Sequence, residues 1–581
     1  MTGKMANKHK KGSSSMLDQQ EIIAAYGVTK KIIDKYFPKP VVRQKPLRNG
    51  KWSYRRYWTR AEVEQALAAP ALREELEKLK DQRKHEQQII AAREMLSAYN
   101  PESMIQSGRA LKRFFVLHVG PTNSGKTYDA VEALKKSGSG TYLGPLRLLA
   151  LEMFDRINAA GIPCSLQTGE ETIPVEGAAI VSSTIELCDY HRKFDVAVID
   201  EAQLITDSER GAAWFRAICE VNAEEVHICL APEALNIIEG LVKEFGDPYN
   251  VVSHERLVPL KYGGVCRGFK DIRPNDAVIC FSRKNVLSTA ALLERNGFKA
   301  SVIYGALPPV ARRNEVERYL SGETNVIVAT DAIGLGISLP IRRVIFAETQ
   351  KFDGRERRPL TPSEVRQIAG RAGRYGMFDL GEALTMDSTE IISRGMSNTP
   401  KAVRSLCIAF PREVLDSEYP LDVLLRAWQS IPDSRSFRRE DMSDALMLYS
   451  VLKGSIHTDN RQLVFDLISC PIDSNSQELI GYWADCARAI LKKKHIPRPK
   501  FGTETLQDCE LQYKAYDILH QLMMRIGRPT EYTEERDAIC QRIKELMQAD
   551  KSSYIRRCSC CGKELPIGYA FNLCEKCYNM A

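Results

Sequence analysis

Hydrophobic positions along the chain follow three regimes. Up to about residue 70, short apolar clusters alternate with basic ones. Ile22, Ile23, Val28, Ile32, Ile33 and Phe37 fall at helical spacing around Gly27, which predicts two short helices over 17–37. A strand pair follows around Asn49-Gly50, a dipeptide suited to a tight hairpin turn, and Thr59-x-x-Glu62 is a capping box that opens another helix. Residues 73–93 are charged and helix-prone, a connector. From 105 to 390 the pattern changes to compact apolar runs at 114–119, 141–143, 179–182, 195–199 and 226–230, then again at 277–282, 301–304, 326–330 and 343–347, separated by helical stretches. Continuous apolar runs mark strands buried on both faces, and such βα alternation implies parallel sheets. Because the alternation starts afresh near 277, two related α/β domains are expected. Beyond 390 the pattern is helical, most clearly at 421–428, 442–452 and 506–546.

The division that results is a basic tail (1–15), a helix-turn-helix-like module (16–70), a charged helical connector (71–104), two sheet domains (105–255 and 256–390), a helical domain (391–550) and a terminal cysteine module (551–581). A length of 581 residues agrees, being too long for one core. Hydrophobic content of 44% with 27% charged residues is ordinary for a soluble globular chain. No apolar run is long enough to cross a bilayer, and no signal-peptide pattern is found, so a membrane role is not expected. Residues 1–15 hold lysines and serines but no acid. They lack arginine and an amphipathic face, so a disordered tail is expected rather than a transit peptide. Of the 16 cysteines, eleven lie scattered in apolar segments without a disulfide framework, and the expectation is a cytoplasmic protein.

Charge changes the picture more. Residues 1–60 carry 15 Lys/Arg against Asp18, Glu21 and Asp34, a net of +12; the whole chain is +8, leaving −4 for the rest. Arg43, Lys45, Arg48, Lys51, Arg55 and Arg56 crowd the predicted hairpin, interleaved with Trp52, Tyr54, Tyr57 and Trp58, and Lys30, Lys31 and Lys35 decorate the second helix. A basic head on a mildly acidic body is the footprint of a module that meets a phosphate backbone. The pattern resembles a winged helix-turn-helix, which would set Lys30, Lys31 and Lys35 against a groove; such folds also dock proteins.

Chemistry concentrates in the sheet domains. Gly120-Pro121-Thr122-Asn123-Ser124-Gly125-Lys126-Thr127 follows directly on the apolar run 114–119. Glycines at both ends let backbone N–H groups curl around a polyphosphate, Lys126 reaches its terminal phosphates, and the Thr127 hydroxyl suits Mg²⁺. Asp200-Glu201-Ala202-Gln203 ends a second apolar run as the acidic partner of such a loop, with Asp200 for Mg²⁺ and Glu201 to polarise the attacking water. These residues predict a nucleoside triphosphatase using ATP and Mg²⁺. Gln367-Ile368-Ala369-Gly370-Arg371-Ala372-Gly373-Arg374, read as the opening of a helix, puts two guanidinium groups on one face where they can meet the charge of a transferring phosphoryl group. Thr330-Asp331 follows the run 326–330 at a polar turn extending to Gly336, where an open parallel sheet places ligand contacts.

With these residues in hand, the chain resembles superfamily 2 helicases, and within them the ATP-dependent RNA helicases of the mitochondrial degradosome and their bacterial relatives. The stretches that carry the resemblance are the 120–127 loop, Tyr142 to Ala150, Gln167 to Glu171, Ala197 to Gln203, Ile279 to Ser282, Val302 to Pro309, Thr330 to Gly336 and Gln367 to Arg374. It implies two tandem RecA-like motor domains, translocation 3′ to 5′ along a single strand, and a nuclease partner. It also implies roles: Gln203 couples the site to Gln367, Arg371 and Arg374, which sense the γ-phosphate, and Pro145, Arg147, Thr184, Thr330 and Asp331 touch the nucleic-acid backbone or link it to ATP. The basic head and the cysteine tail depart from the family pattern, so DNA stays open as substrate. A DNA helicase or translocase is the first alternative to an RNA helicase. A non-enzymatic nucleic-acid-binding regulator with a vestigial motor is the second, and it predicts gaps among Lys126, Asp200, Glu201, Arg371 and Arg374, all of which are present.

Cys558-x₂-Cys561-x₁₂-Cys574-x₂-Cys577 has the spacing of a structural zinc ribbon or knuckle with a hairpin between its thiolate pairs. Cys560 is a spare thiol that could replace Cys558 or Cys561, and Arg556, Arg557 and Lys563 beside it suit either nucleic-acid contact or domain docking.

Overall fold

The computed structural model describes residues 16–46, 52–101, 112–169, 171–334, 339–353, 356–387, 390–456, 458–528, 532–549, 551–569 and 571–580. The expected basic tail, the Asn49-Gly50 turn, and parts of the stretches ending at Glu171 and Gly336 lie outside these residues.

The described chain forms two compact units, 1–96 and 97–581. In the first, strand β1 (Met16–Asp18) pairs with β3 (Trp52–Thr59), which also pairs with β2 (Val41–Pro46), both antiparallel. Asp18 and Thr59 each close a capping box, on helices Gln19–Tyr26 and Arg60–Ala68. Gly27, in the left-handed region, ends the first helix so that Thr29 can cap the second, Lys30–Tyr36. Ile22, Val28, Ile32, Ile33 and Trp58 pack into one core, which Leu72 of the long helix Pro70–Leu96 completes.

The second unit contains two parallel sheets. The first lobe orders its strands β11-β4-β10-β9-β5-β8-β6-β7, where β4 is Phe114–Val119, β5 Gly140–Gly144, β6 Cys164–Gln167, β7 Thr172–Ile173, β8 Ile180–Thr184, β9 Phe194–Ile199, β10 Ala223–Leu230 and β11 Tyr249–Ser253. Only β7 runs antiparallel among these described strands. The second lobe orders β12-β19-β16-β13-β15-β14, all parallel, from β12 (Leu260–Val265), β13 (Asp276–Ile279), β14 (Ala300–Ile303), β15 (Val326–Ala329), β16 (Arg343–Phe346) and β19 (Gly381–Thr385). Between β16 and β19 the short pair β17 (Gln350–Phe352) and β18 (Arg357–Pro359) forms an antiparallel ribbon. The central strands β13, β15 and β16 and the edge strand β14 are fully buried; β13 and β16 each begin on a buried charge, Asp276 and Arg343, which pair at 2.6 Å.

The rest is helical apart from β20 (Leu406–Ile408) and β21 (Phe437–Arg439). Its longest described helices are Leu506–Arg525 and Thr533–Gln548, within the helical stretch 506–546. No described helix is long and apolar enough to cross a membrane.

Candidate nucleotide cleft and nucleic-acid face

β4 carries the chain out of the first sheet into the 120–127 loop and the helix Lys126–Lys136. Asn123 and Gly125 adopt positive φ (59° and 84°), which folds the loop back over the start of the helix. First-turn N–H groups of a helix have no intrahelical acceptor, so this end attracts anions. Lys126 is buried, its Nζ 3.4 Å from the Pro121 carbonyl. The Ser124 hydroxyl is buried without a hydrogen-bond partner. A loop rich in buried donors and poor in acceptors fits a polyphosphate.

The carboxylates come from β9, two strands away across β10. Asp200 is buried; its Oδ1 accepts from the Thr127 hydroxyl at 3.1 Å and its Oδ2 from the Tyr142 hydroxyl at 2.9 Å. Trp214 donates to the Asp200 carbonyl at 2.9 Å, which fixes the backbone as well. Burial, then the adjacent Glu201 carboxylate, raises the Asp200 pKa, while Lys126 opposes the rise. Two neighbouring carboxylates beside a hydroxyl form a hard oxygen donor set, and a divalent cation such as Mg²⁺ fits it: Thr127 and Asp200 would hold it against the phosphates. Glu201 adopts a left-handed backbone conformation (φ 50°), uncommon for a residue with a side chain and concentrated at functional sites. Gln203 donates to the Glu201 carboxylate and accepts from the Ala231 N–H at 3.1 Å. These contacts lie within the first lobe, and the Glu201 carboxylate that Gln203 bonds is the one 4.0 Å from Arg371.

The second lobe closes the cleft. Helix Pro362–Ala369 starts at a Thr361/Glu364 capping box and ends at Gly370. The expectation that Gln367 opens a helix is therefore corrected: Gln367 lies in its last turn, and Arg371 and Arg374 lie in the turns beyond, with Gly373 at φ +75°. The Arg371 guanidinium donates twice to the Gly334 carbonyl, at 3.1 and 2.5 Å, and lies 4.0 Å from the Glu201 carboxylate across the cleft. Burial lowers the Arg371 pKa, with Glu201 opposing. Gly370 sits so close to Thr122 that a Cβ there would come within 2.7 Å of the threonine side chain. Arg374 is half-buried in the same turn, and Gln367 packs near Gly334.

Pro145, Arg147, Thr184, Thr330 and Asp331 lie just beyond or at the carboxyl ends of β5, β8 and β15, which form the ligand edge of open parallel sheets. The Pro145 carbonyl accepts from Arg210 at 2.5 Å. Arg147 lies 3.5 Å from Asp517 of the helical domain, which Arg536 also meets at 2.7 Å. Thr184 is buried, the Thr330 hydroxyl accepts from the Ala332 N–H at 3.3 Å, and Asp331 pairs with Lys351 at 3.1 Å. In the N-terminal unit Lys30 and Lys31 are exposed, whereas Lys35 bonds Glu75 at 2.9 Å. Trp52 and Tyr54, 58% and 66% exposed, stand on one face of β3.

At the C-terminus the sulfurs of Cys558, Cys561, Cys574 and Cys577 all lie within 4.8 Å of one another. Cys561 and Cys574 are 3.7 Å apart, close to the edge of a tetrahedron built on metal–sulfur bonds of about 2.3 Å. Backbone N–H groups, first that of Cys561, bring the Cys558 thiol down to about 6, and the Cys561 thiol pushes Cys577 up. Four thiols packed this way fit a thiophilic dication such as Zn²⁺. Cys560 is exposed and outside the cluster. One expectation needs correction. The described residues between the thiol pairs form no stranded hairpin; a single bridge, Arg557 to Glu564, brackets the first pair. Arg556 does not face solvent: its backbone N–H donates to Ser288 at 3.0 Å and its guanidinium to Asn285 at 2.6 Å, Phe571 at 2.9 Å, Tyr569 and Asn572. With Arg295 gripping Glu564 at 2.9 and 2.6 Å, and Ile555 packed on Ala291 and Leu292, the module docks on helix Arg283–Arg295 of the second lobe. Spacing alone could not separate this docking arginine from a nucleic-acid contact.

Residues 101–254 match the model of the DEXQ-box helicase domain of Suv3, and 261–376 match the helicase conserved C-terminal domain. The chain is 41% identical over 496 residues to the DExH-box ATP-dependent RNA helicase DExH16, mitochondrial, of Arabidopsis thaliana, covering 79% of this chain and 86% of that protein. It is 41% identical over 442 residues to the mitochondrial ATP-dependent RNA helicase SUV3 of Oryza sativa (73% and 76%). To the human mitochondrial ATP-dependent RNA helicase SUPV3L1 it is 40% identical over 304 residues, half of this chain but 39% of the human one. The cytoplasmic expectation is overturned, since these relatives are all mitochondrial by name. Cysteine usage reports a reducing environment, which does not distinguish one reducing compartment from another. With both lobes matched in order and the first relative covered over most of its length, the chain belongs to the Suv3-type DEXQ-box family of ATP-dependent RNA helicases.

Proposed function

We propose that this chain hydrolyses ATP between its two lobes and uses the cycle of closure and release to move along single-stranded RNA, 3′ to 5′, displacing a paired strand. The observation that carries this reading is the convergence of Arg371, from the second lobe, on Glu201 of the first, 4.0 Å away, with Thr127 and Asp200 paired beside them. In this reading the loop 120–127 and Lys126 bind the triphosphate with Gln367, Thr127 and Asp200 hold Mg²⁺, and Glu201 takes the proton of the attacking water. Arg371 and Arg374 stabilise the charge that spreads over the γ-phosphoryl group. Pro145, Arg147, Thr184, Thr330 and Asp331 contact the strand backbone at the carboxyl edges of the sheets. Backbone contacts give little sequence preference.

Two accessory modules belong to the same proposal. The N-terminal unit is a winged helix-turn-helix-like nucleic-acid module. Its net charge and the exposed Trp52 and Tyr54 support it, since aromatic faces stack on unpaired bases. The cysteine cluster holds a structural Zn²⁺. Mitochondria are the compartment that the relatives' names support.

The test is strand displacement by the full chain with RNA, DNA and hybrid duplexes bearing 3′ or 5′ overhangs, alongside ATP turnover with each single strand. Displacement from 3′-tailed RNA with RNA-stimulated turnover is expected. Stimulation by DNA alone would replace RNA as substrate, and a Glu201→Gln variant that keeps wild-type turnover would remove Glu201 from its role.

A further inference from the structure

The chain leaves the first lobe at the end of β11 and enters the second at β12, and residues 254–259 between them run along the phosphate loop. His254 donates its backbone N–H to Val119 at 2.7 Å, and Leu257 to the Asn123 carbonyl at 3.2 Å. Between them Arg256 points its guanidinium into the cleft. Nη1 donates to the carbonyls of Thr122 and Gly370, both at 2.9 Å, Nε donates to Val258 at 2.7 Å, and Nη2 to the carbonyl of Ala372. Asn123 donates its side-chain amide to the same Gly370 carbonyl at 2.9 Å.

All four acceptors of Arg256 are main-chain carbonyls, drawn from three segments: the phosphate loop, the turn that carries Arg371, and the linker. Burial, and next the charge of Arg371, lower the Arg256 pKa to about 10, so the group stays cationic at neutral pH. A cation gathered by dipoles of both lobes loses several of its partners when the lobes part, because Thr122 moves with one and Gly370 and Ala372 with the other. Its bond set is therefore specific to the closed cleft. The carbonyls it grips flank Arg371 on both sides, so it also fixes the backbone from which Arg371 projects.

We propose that Arg256 is a positioning residue of the ATP cycle: by tying the Thr122 carbonyl to those of Gly370 and Ala372 it closes the linker over the cleft and presents Arg371 to Glu201 and the γ-phosphoryl group. The assignment rests on the ATPase reading above. It makes the linker part of the site rather than a tether.

The experiment compares the full-length chain with Arg256→Ala and Arg256→Lys. It measures ATP turnover with saturating poly(A), binding of a fluorescent ATP analogue, and thermal unfolding. A misplaced transition-state group costs up to about 100-fold in rate. Arg256→Ala should therefore lose about 10- to 100-fold in kcat, bind the analogue within about threefold of wild type, and unfold at the wild-type temperature. Arg256→Lys should recover part of the loss, as should guanidinium ion added at low millimolar concentration to Arg256→Ala. An active wild type beside an Arg256→Ala of equal kcat overturns the assignment alone. So does a rate loss that tracks a fall in unfolding temperature and responds to neither lysine nor guanidinium. A wild-type chain that turns over no ATP in any single strand would instead overturn the ATPase reading, and this assignment with it.

Discussion

Two of the arginine-bearing interfaces that the second lobe makes with its neighbours are of opposite construction. Toward the first lobe, Arg256 of the linker bonds main-chain carbonyls of both lobes, Arg371 is held by the Gly334 carbonyl of its own lobe and makes one long ion-pair contact with Glu201, and Arg313 pairs with Asp155 at 2.8 Å on the surface. Leu148 is a first-lobe side chain packed against the second-lobe core. Toward the cysteine module, Arg556 is likewise surrounded by carbonyls and amides, but beside it lie a closed apolar cluster of Ala291, Leu292 and Ile555 and a two-bond grip of Arg295 on Glu564. Polar main-chain contacts lose little when water replaces them, because each net bond is worth only about 1 kcal/mol. Buried apolar area has no such substitute. In the proposed cycle the first interface opens at each turnover and the second stays shut, although both use an arginine.

Removing metal tests the permanent interface hardest. A structural four-cysteine site stores on the order of 10 kcal/mol of binding free energy as folding energy. Chelation, or Cys574→Ser, should release one bound zinc per chain and raise hydrogen exchange along Arg283–Arg295, while the 120–127 loop keeps its affinity for an ATP analogue. Unchanged exchange in that helix would mean that the module's dock is independent of its metal.

The reversible interface is broken most sharply at Arg371. Arginine fingers contribute about 10³- to 10⁵-fold in rate, so Arg371→Ala should cut ATP turnover by at least about 1,000-fold with little shift in thermal unfolding, since its contact with Glu201 crosses the cleft and only the Gly334 carbonyl of its own lobe loses a donor. At the other interface Arg556→Ala should give the reverse. It leaves the Phe571 and Tyr569 carbonyls and the Asn285 amide oxygen without their donor, and an unsatisfied buried group costs about 1–3 kcal/mol. A measurable loss of stability with ATP turnover within twofold of wild type is expected. If the two variants showed the same profile, the contrast between the interfaces would collapse.

How much of this could be read beforehand depends on the kind of signal. Strands β4, β9, β13 and β16 are mostly apolar, each with a single polar residue (His118, Asp195, Asp276 and Arg343), and each starts within a residue of its apolar run. β11, β12 and β19 were missed because Asn250, Lys261 with Gly263, and Glu382 interrupt theirs with residues that edge or outer strands tolerate. The start of the helix before Arg371 is marked by Thr361-Pro362-Ser363-Glu364, a capping box with Pro at the first helical position, ahead of the Gln367 at which the motif begins. The phosphate loop and its carboxylates announce themselves because their chemistry needs fixed spacing. Tyr142 and Arg256 have no such spacing: their partners are a carboxylate on another strand and the carbonyls of distant turns, which only the folded chain assembles.

The N-terminal unit supplies the exposed limit of the same contrast and the smallest effect. Lys35 is paired with Glu75 at 2.9 Å, but both groups are solvent-accessible, so the pair is screened and its loss should leave thermal unfolding unchanged. Its consequence should appear in binding instead. Each phosphate-neutralising lysine steepens the salt dependence of affinity by about one in the log–log slope. Lys30 and Lys31 are exposed and should each remove about that much when changed to alanine. Lys35, already partly neutralised by Glu75, should remove less, and Glu75→Gln should strengthen binding at low salt by freeing it. Measured on the full chain with a labelled single-stranded RNA across a salt series, a Lys35 effect equal to that of Lys30 would mean that the Glu75 pair breaks when RNA arrives. Slopes unaffected by any of the three would move the contact from this helix to the β2–β3 ribbon, where Trp52 and Tyr54 stand exposed.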